Sequence, residues 1–159
     1  MNQRQASLGF ILVTIFLDVL GIGLMIPVLP SLIGALTTSP DLQAYWYGAL
    51  ATTYGIMQFF CTPLLGALSD RYGRRPVLLL SIFGLGLSYI VTATTHSLIL
   101  LLLTRLVSGA TGATFSVANA YVADITSPEQ RGKAFGAVGA AFGVGFVFGP
   151  MIGGTLGAI

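Results

Sequence analysis

The chain has 159 residues, of which 55% are apolar and only 8% are charged, and its formal net charge is +2. Soluble globular domains carry about 25% charged residues, so this composition excludes an ordinary soluble domain and indicates an integral membrane protein. The small, localised positive charge argues against nucleic-acid binding, and the single cysteine excludes an intrachain disulfide.

Helices are expected throughout, because an open strand edge has no hydrogen-bond partner in lipid and no alternating barrel pattern is present. The apolar runs predict five transmembrane helices, numbered one to five, at 8–36, 45–68, 76–94, 98–122 and 133–157. Helix one is interpreted as a retained span, because its apolar run exceeds the about 7 to 15 residues of a signal-peptide core.

The positive charges predict how the chain crosses the bilayer. Six of the seven Lys and Arg residues fall on one side, in the N-terminal tail, the loop at 69–75 and the region where helix five begins. The opposite loops at 37–44 and 95–97 contain none. Because Lys and Arg accumulate in cytoplasmic loops, the N-terminus is expected to be cytoplasmic.

Helix one carries a single charge inside its apolar run, Asp18. It lies about 15 Å along the helix axis from Leu8 at the α-helical rise. A charge at such depth costs about 3 kcal/mol on insertion scales, so it is treated as functional by default. Burial favours a neutral carboxyl group and a nearby cation favours the charged form, and this opposition makes Asp18 the candidate proton carrier.

The loop between helices two and three concentrates charge, with Asp70, Arg71, Arg74 and Arg75 falling within six positions. Asp124, in the loop before helix five, lies on the same predicted side and is expected to pair with this basic cluster. The alternative is a set of exposed pairs in free contact with water, each contributing about 0 to 1 kcal/mol.

Helix four carries Arg105 about 10 Å deep, entering from the opposite side to Asp18. We expect the two to approach each other across a central cavity, with a static buried ion pair as the alternative. Polar side chains at helical spacing predict a substrate cavity lined by Tyr54, Gln58, Ser116 and Asn119. For each of these four, an interhelical hydrogen bond is the alternative role.

Helix five is nearly free of polar side chains and rich in glycine. Gly145, Gly149, Gly153 and Gly157 recur at every fourth position, which predicts close helix packing. Pro150 removes one backbone hydrogen bond and is expected to bend the helix. The glycine face is interpreted as a sliding interface. No Gly-Lys-Ser/Thr sequence follows it, so nucleotide binding is not predicted.

With these residues in view, the chain resembles the N-terminal half of a major facilitator superfamily transporter, and within it the drug/proton antiporters of the tetracycline efflux type. The segment 66–76 is similar to the superfamily's Gly-x-x-x-Asp-Arg-x-Gly-Arg-Arg loop signature, and Arg105 with Gly109 is similar to its helix-four arginine motif. The helix-five antiporter signature is matched at Gly136, Gly145, Gly149, Pro150, Gly153 and Gly154. Two positions depart from the pattern: Ser108 replaces the frequent Gln, and Ser88 stands where tetracycline exporters carry an acid.

The resemblance implies roles for the loop and for helix five. It implies a conformational latch formed by Gly66, Asp70, Arg71, Gly73, Arg74, Arg75 and Asp124. In this scheme Asp70 contacts the other half of the transporter, while the arginines pair with Asp124. Helix five would pack against a helix of the C-terminal half, which lies outside this sequence.

The sequence therefore predicts an all-α integral membrane bundle, comprising five helices of a six-helix N-terminal half. The predicted function is proton-coupled efflux of a small drug-like molecule by alternating access, from a multi-pass protein of the cell's inner (plasma) membrane. Its expected partners are the lipid bilayer, the substrate and the missing C-terminal half, with the proton gradient as energy source and no metal or other cofactor. The alternatives are a non-transporting truncated fragment or helix-packing partner, and a nutrient symporter or facilitator. Enzymatic activity is not predicted, because no nucleophile, metal cluster or pair of catalytic carboxylates stands out.

Overall fold

The structure, a computed structural model, describes residues 3–156. These residues form six α-helices and no strand, which confirms the predicted all-α membrane fold. The helices are α1 (Gln3–Leu36), α2 (Pro40–Tyr72), α3 (Arg74–Thr94), α4 (Leu98–Ala110), α5 (Thr114–Ile125) and α6 (Arg131–Leu156). The Arg4 side chain and position 157, where helix five is predicted to end, lie outside the described residues.

Within the described part of the chain, four segments are long and apolar enough to cross a membrane. They are Ser7–Leu36, Arg74–Thr94, Leu98–Ile125 and Arg131–Thr155. The helix α2 is also long, but polar residues such as Thr52, Thr53 and Gln58 make it less apolar than these four. Large apolar side chains lie on the outer surface and face the region that lipid would occupy. Among them, Phe59 and Phe83 are at least 70% exposed.

The span predicted as helix four is broken near its middle, where α4 ends at Ala110 and α5 begins at Thr114. Gly112 lies in the break, and its N–H donates to the carbonyl of Gly109 at 3.1 Å. The Gly112 carbonyl accepts a hydrogen bond of 2.8 Å from Nε2 of Gln58 on α2. Irregular backbone is tolerated at membrane depth where protein satisfies it, and here the amide of Gln58 does so.

The helix α6, which corresponds to predicted helix five, packs mainly against α1. Gly145, Gly149 and Gly153 are buried in this contact. A Cβ atom on Gly149 would lie 2.7 Å from the Cα of Gly23 and 2.8 Å from the carbonyl oxygen of Leu20. The side-chain-free ridge therefore lets the two backbones meet inside this bundle, whereas the family resemblance directed helix five towards the other half.

The remaining signature glycines of α6 face away from this contact. Gly136 and Gly154 are exposed, and a Cβ atom on either would meet nothing within 4 Å. Pro150 lies on the packed side of α6. A Cβ atom on Gly23 would lie 2.8 Å from the Cδ of Pro150. The signature thus divides between a ridge held by α1 and a surface free of contacts with the other described residues.

Candidate functional site

An open pocket lies among α1, α2, α3 and α4. Its wall is mainly apolar, formed by Ile22, Met25, Ile26, Leu29, Ala51 and Leu85. Its polar lining consists of Tyr47, Tyr54, Tyr89 and Arg105. This lining suits a small organic molecule, because ligand pockets are mostly apolar with a few polar groups.

Arg105 is the single charged group among the described residues that line the pocket. It is 7% exposed, and its Nε and Nη2 atoms have no hydrogen-bond partner in the described part of the chain. Among the described side chains, the only ion pairs are those of Arg74. Arg105 and Asp18 are therefore not joined as a static ion pair in this structure.

Asp18 is 8% exposed and lies on α1 one helical turn before Ile22, a residue of the pocket wall. The hydroxyl group of Thr114, the first residue of α5, faces its carboxyl group, but the two are not in hydrogen-bond geometry. Tyr54 and Tyr89 interact electrostatically with both Asp18 and Arg105. The two opposite charges thus share a pair of tyrosines and have no direct bond between them.

The four side chains predicted to line the cavity have different positions. Tyr54 lines the pocket. Gln58 bridges helices, since its Nε2 donates to the Gly112 carbonyl and, at 3.4 Å, to the hydroxyl oxygen of Tyr54. Ser116 is exposed outside the pocket, and Nδ2 of Asn119 donates to the Phe115 carbonyl of its own helix at 2.8 Å. The break in helix four interrupts the helical phase, so the face that includes Arg105 does not continue to Ser116 and Asn119.

Two residues of the site were not identified from the sequence. Tyr89 reaches the pocket from α3, and Gly21 on α1 leaves room for it, because a Cβ atom at Gly21 would collide with the tyrosine ring. Thr114 reaches Asp18 because α5 begins at that residue. For Tyr89, the available signal was a tyrosine in an apolar helix next to Ser88. For Thr114 there was no comparable signal, because its role depends on the helix break that precedes it.

At the far end of the bundle, Arg74 connects the charged loop to α5. Its Nε donates to Oδ2 of Asp124 at 2.9 Å, and its Nη1 contacts Oδ1 of Asp70 at 2.5 Å. The same Nη1 donates to the buried Ser69 hydroxyl at 2.7 Å, and Ser69 in turn donates to the Gly66 carbonyl. The expected pairing with Asp124 is therefore made by a single arginine.

The other residues of the predicted latch make different contacts. The Arg71 guanidinium carbon lies 5.4 Å from the ring centre of Tyr72, and that of Arg75 lies 5.2 Å from the ring centre of Phe10 on α1. Both distances suit cation–π contacts. Gly73 is the one residue between α2 and α3 and has a φ of 99° and a ψ of 151°. This backbone conformation is essentially restricted to glycine.

Comparisons with known proteins identify the family of this chain. The model of the Major Facilitator Superfamily matches residues 11–159. Tetracycline resistance protein class C of Escherichia coli is 53% identical over 157 residues, which cover 99% of this chain and 39% of that protein. Tetracycline resistance protein class B of Escherichia coli is 49% identical over 155 residues, covering 98% of this chain and 38% of that protein.

A solved structure of the human organic anion transporter MFSD10 (TETRAN) has a TM-score of 0.82 and 31% sequence identity to this chain. The match covers 98% of this chain and 42% of that one. This chain spans about two fifths of the length of the curated relatives it matches. Because the family model covers nearly all of its residues, the chain belongs to the Major Facilitator Superfamily.

Proposed function

We propose that this chain forms the N-terminal half of a proton-driven exporter, which removes a small drug-like molecule through the inner (plasma) membrane by alternating access. The observation that carries the proposal is the placement of Asp18 and Arg105. Both charges are buried within the membrane-spanning bundle, both act on Tyr54 and Tyr89, and no ion pair among the described side chains neutralises them. Such charges are costly in a membrane, which favours a functional role.

In this proposal, Asp18 carries the proton. Protonation removes the negative charge beside Tyr54 and Tyr89, while the positive charge of Arg105 remains at the pocket wall. The electric field across the pocket changes as a result, and the balance between the inward-open and outward-open states changes with it. A proton can shift such a balance only as far as its affinity differs between the two states.

The relatives support a small organic molecule as the substrate. Two of them are described as tetracycline resistance proteins and one as an organic anion transporter. Membership of this transporter family also means that the chain is not an enzyme. In α3, Ser88 is buried and donates to the Gly84 carbonyl at 2.9 Å, at the position where tetracycline exporters are expected to carry an acid. We therefore propose a drug-like substrate rather than tetracycline in particular.

The Arg74 network is proposed to act as the latch of the transport cycle. Its end of the bundle carries the charged loop and is proposed to face the cytoplasm, together with the N-terminus. One guanidinium group there contacts both Asp70 on α2 and Asp124 on α5. A movement that separates these helices must break charged contacts, so the network favours the conformation in which they are formed.

The proposed function is tested with the complete natural protein in inside-out vesicles under an imposed proton gradient. Uptake of fluorescent drug-like molecules into the vesicles is expected for the natural sequence. Asp18→Asn is expected to reduce uptake to the level measured without a gradient, because an amide cannot carry the proton. Asp41→Asn is the matched control, since Asp41 is an exposed carboxylate in the first turn of α2. Gradient-driven uptake that persists in Asp18→Asn would falsify the proton-carrier role.

A further inference from the structure

The Thr114 hydroxyl differs from most other threonine hydroxyls of the described chain. Eight of those donate to the carbonyl group of a residue three or four positions earlier in the chain, as Thr104 does to Leu101 and Thr14 does to Phe10. Thr114 is 1% exposed, and its Oγ1 has no hydrogen-bond partner among the residues that the structure describes. It begins α5, so the break at 111–113 removes the preceding helical turn that would supply such a carbonyl.

The freed hydroxyl lies near the carboxyl group of Asp18. The chain neighbours of the two residues, Val19 and Ala113, belong to one buried apolar cluster, which brings this part of α1 and the start of α5 together. Among the described residues, the titratable groups that act on Asp18's surroundings are Tyr54 from α2 and Tyr89 from α3, with Arg105 of α4 acting on the same two tyrosines. Thr114 adds the contact from α5, and the α6 surface against α1 consists of glycines and apolar side chains. A hydroxyl group that donates to a carboxylate stabilises its charged form, so Thr114 is positioned to influence when Asp18 binds a proton.

The break that frees Thr114 is held from the pocket side. Nε2 of Gln58 donates to the Gly112 carbonyl at 2.8 Å and lies 3.4 Å from the hydroxyl oxygen of Tyr54, which lines the pocket. A ligand that moves Tyr54 or competes for Gln58 therefore acts directly on the broken segment. One residue, Ala113, separates Gly112 from Thr114 at the end of this path, so a shift of the break displaces the Thr114 hydroxyl relative to Asp18.

We propose that Thr114 is a positioning residue for the proton on Asp18, and that Gln58, through the Gly112 carbonyl, connects occupancy of the pocket to that position. This inference rests on the proposed function, because it specifies how the two sites of the same exporter influence each other. The element that connects the two sites is the α4–α5 junction, which Gln58 contacts from the pocket side and which ends at Thr114. A defined element between two sites can carry the coupling free energy that links them.

The first test uses the complete natural protein in inside-out vesicles and measures gradient-driven uptake of the fluorescent drug as a function of pH. Thr114→Val keeps the shape of the side chain and removes the hydroxyl donor, so the midpoint of the pH profile is expected to move to higher pH by about one unit. Thr114→Ser keeps the hydroxyl and is expected to retain the natural profile. Thr94→Val is the control, because Thr94 is exposed and its hydroxyl bonds its own helix.

A natural profile in Thr114→Val, or an equal shift in Thr114→Ser, would overturn the inference. If the natural protein shows no gradient-driven uptake, the proposed function itself fails. If uptake depends on the gradient and on Asp18 but not on the Thr114 hydroxyl, only the inference fails. The amount and monodispersity of each purified variant are measured, so that a lower amount of folded protein is distinguished from a change in the midpoint of the pH profile.

The second test examines the connection through Gln58. Gln58→Leu removes the donor to the Gly112 carbonyl and is expected to shift the pH midpoint in the same direction as Thr114→Val. The double variant Gln58→Leu/Thr114→Val is expected to show the shift of Thr114→Val alone, because both changes interrupt one path. Additive shifts would contradict the connection, as would an unshifted profile in Gln58→Leu.

Discussion

At the scale of single residues, the chain uses glycine where no other residue fits. Gly73 is the only residue between α2 and α3, and its φ of 99° and ψ of 151° lie in a region that side chains with a Cβ atom rarely enter. Its N–H donates to the Ser69 carbonyl at 3.0 Å and so closes the end of α2. The position of Arg74, the next residue, depends directly on this one conformation.

We expect Gly73→Ala to lower the free energy of unfolding by about 1 to 3 kcal/mol, because alanine must adopt a strained backbone there. Unfolding in detergent, followed by heat or denaturant, measures the change. Gly86→Ala on α3 is the control, because a Cβ atom at Gly86 meets nothing within 4 Å and its backbone is helical. Equal stability of the two variants would show that Gly73 does not hold the positive-φ conformation.

At the scale of elements, the contact between α1 and α6 depends on the absence of side chains. Gly145, Gly149 and Gly153 bring the two backbones together, and Gly23 does the same from α1. In a membrane, apolar side chains gain little from leaving lipid for a helix contact, so close packing supplies the stability instead. The pair α1–α6 is therefore expected to move as one body in any conformational change.

The substitution Gly149→Ala tests this contact. Its Cβ would lie less than 3 Å from backbone atoms of Gly23 and Leu20, so the helices must separate, at a cost of about 1 to 3 kcal/mol. Gly143→Ala on the same helix adds an identical methyl group where nothing lies within 4 Å. The thermal midpoint is expected to fall for the first variant only, and an equal fall in both would exclude the ridge as the cause.

Prediction from the sequence succeeded where a signal is local. Long apolar runs gave the helices, and Asp18 and Arg105 stood out as charges inside such runs. The break between α4 and α5 was missed, because it depends on Gln58, which contacts Gly112 from 54 positions away. Tyr89 and Thr114 were missed for a related reason, since tyrosine and threonine are ordinary in membrane helices and gain their roles from contacts between helices.

At the scale of the whole molecule, Arg74 holds three elements in one arrangement. From the start of α3 it contacts Ser69 and Asp70 on α2 and Asp124 on α5. Its planar fork makes these contacts simultaneously, which a lysine ammonium group cannot reproduce. The acids are exposed, so their ion pairs contribute little each, but the hydroxyl of Ser69 is buried and depends on its partners.

We expect Arg74→Lys to lower the free energy of unfolding by about 1 to 2 kcal/mol, since the charge remains but several of the contacts are lost. Arg131→Lys is the control, because Arg131 is exposed and its side chain donates to the Ala123 carbonyl at 3.3 Å without joining a network of acids. Denaturant unfolding at low and high salt distinguishes the contribution of the ion pairs from that of the hydrogen bonds. A large salt dependence with no loss in Arg74→Lys would assign the stability to charge alone.

The bond between Gln58 and Gly112 also has a consequence for how the protein is made. A ribosome synthesises α2 before α4, so the amide of Gln58 is already present when the segment that contains Gly112 enters the bilayer. The Gly112 carbonyl can therefore accept its hydrogen bond from Gln58 as soon as this segment enters the bilayer, and it need not face lipid without a donor. Because α2 precedes the break in the chain, the donor is present during biosynthesis when the break needs it. In the reverse order, the Gly112 carbonyl would lack a donor until the helix with the glutamine was synthesised.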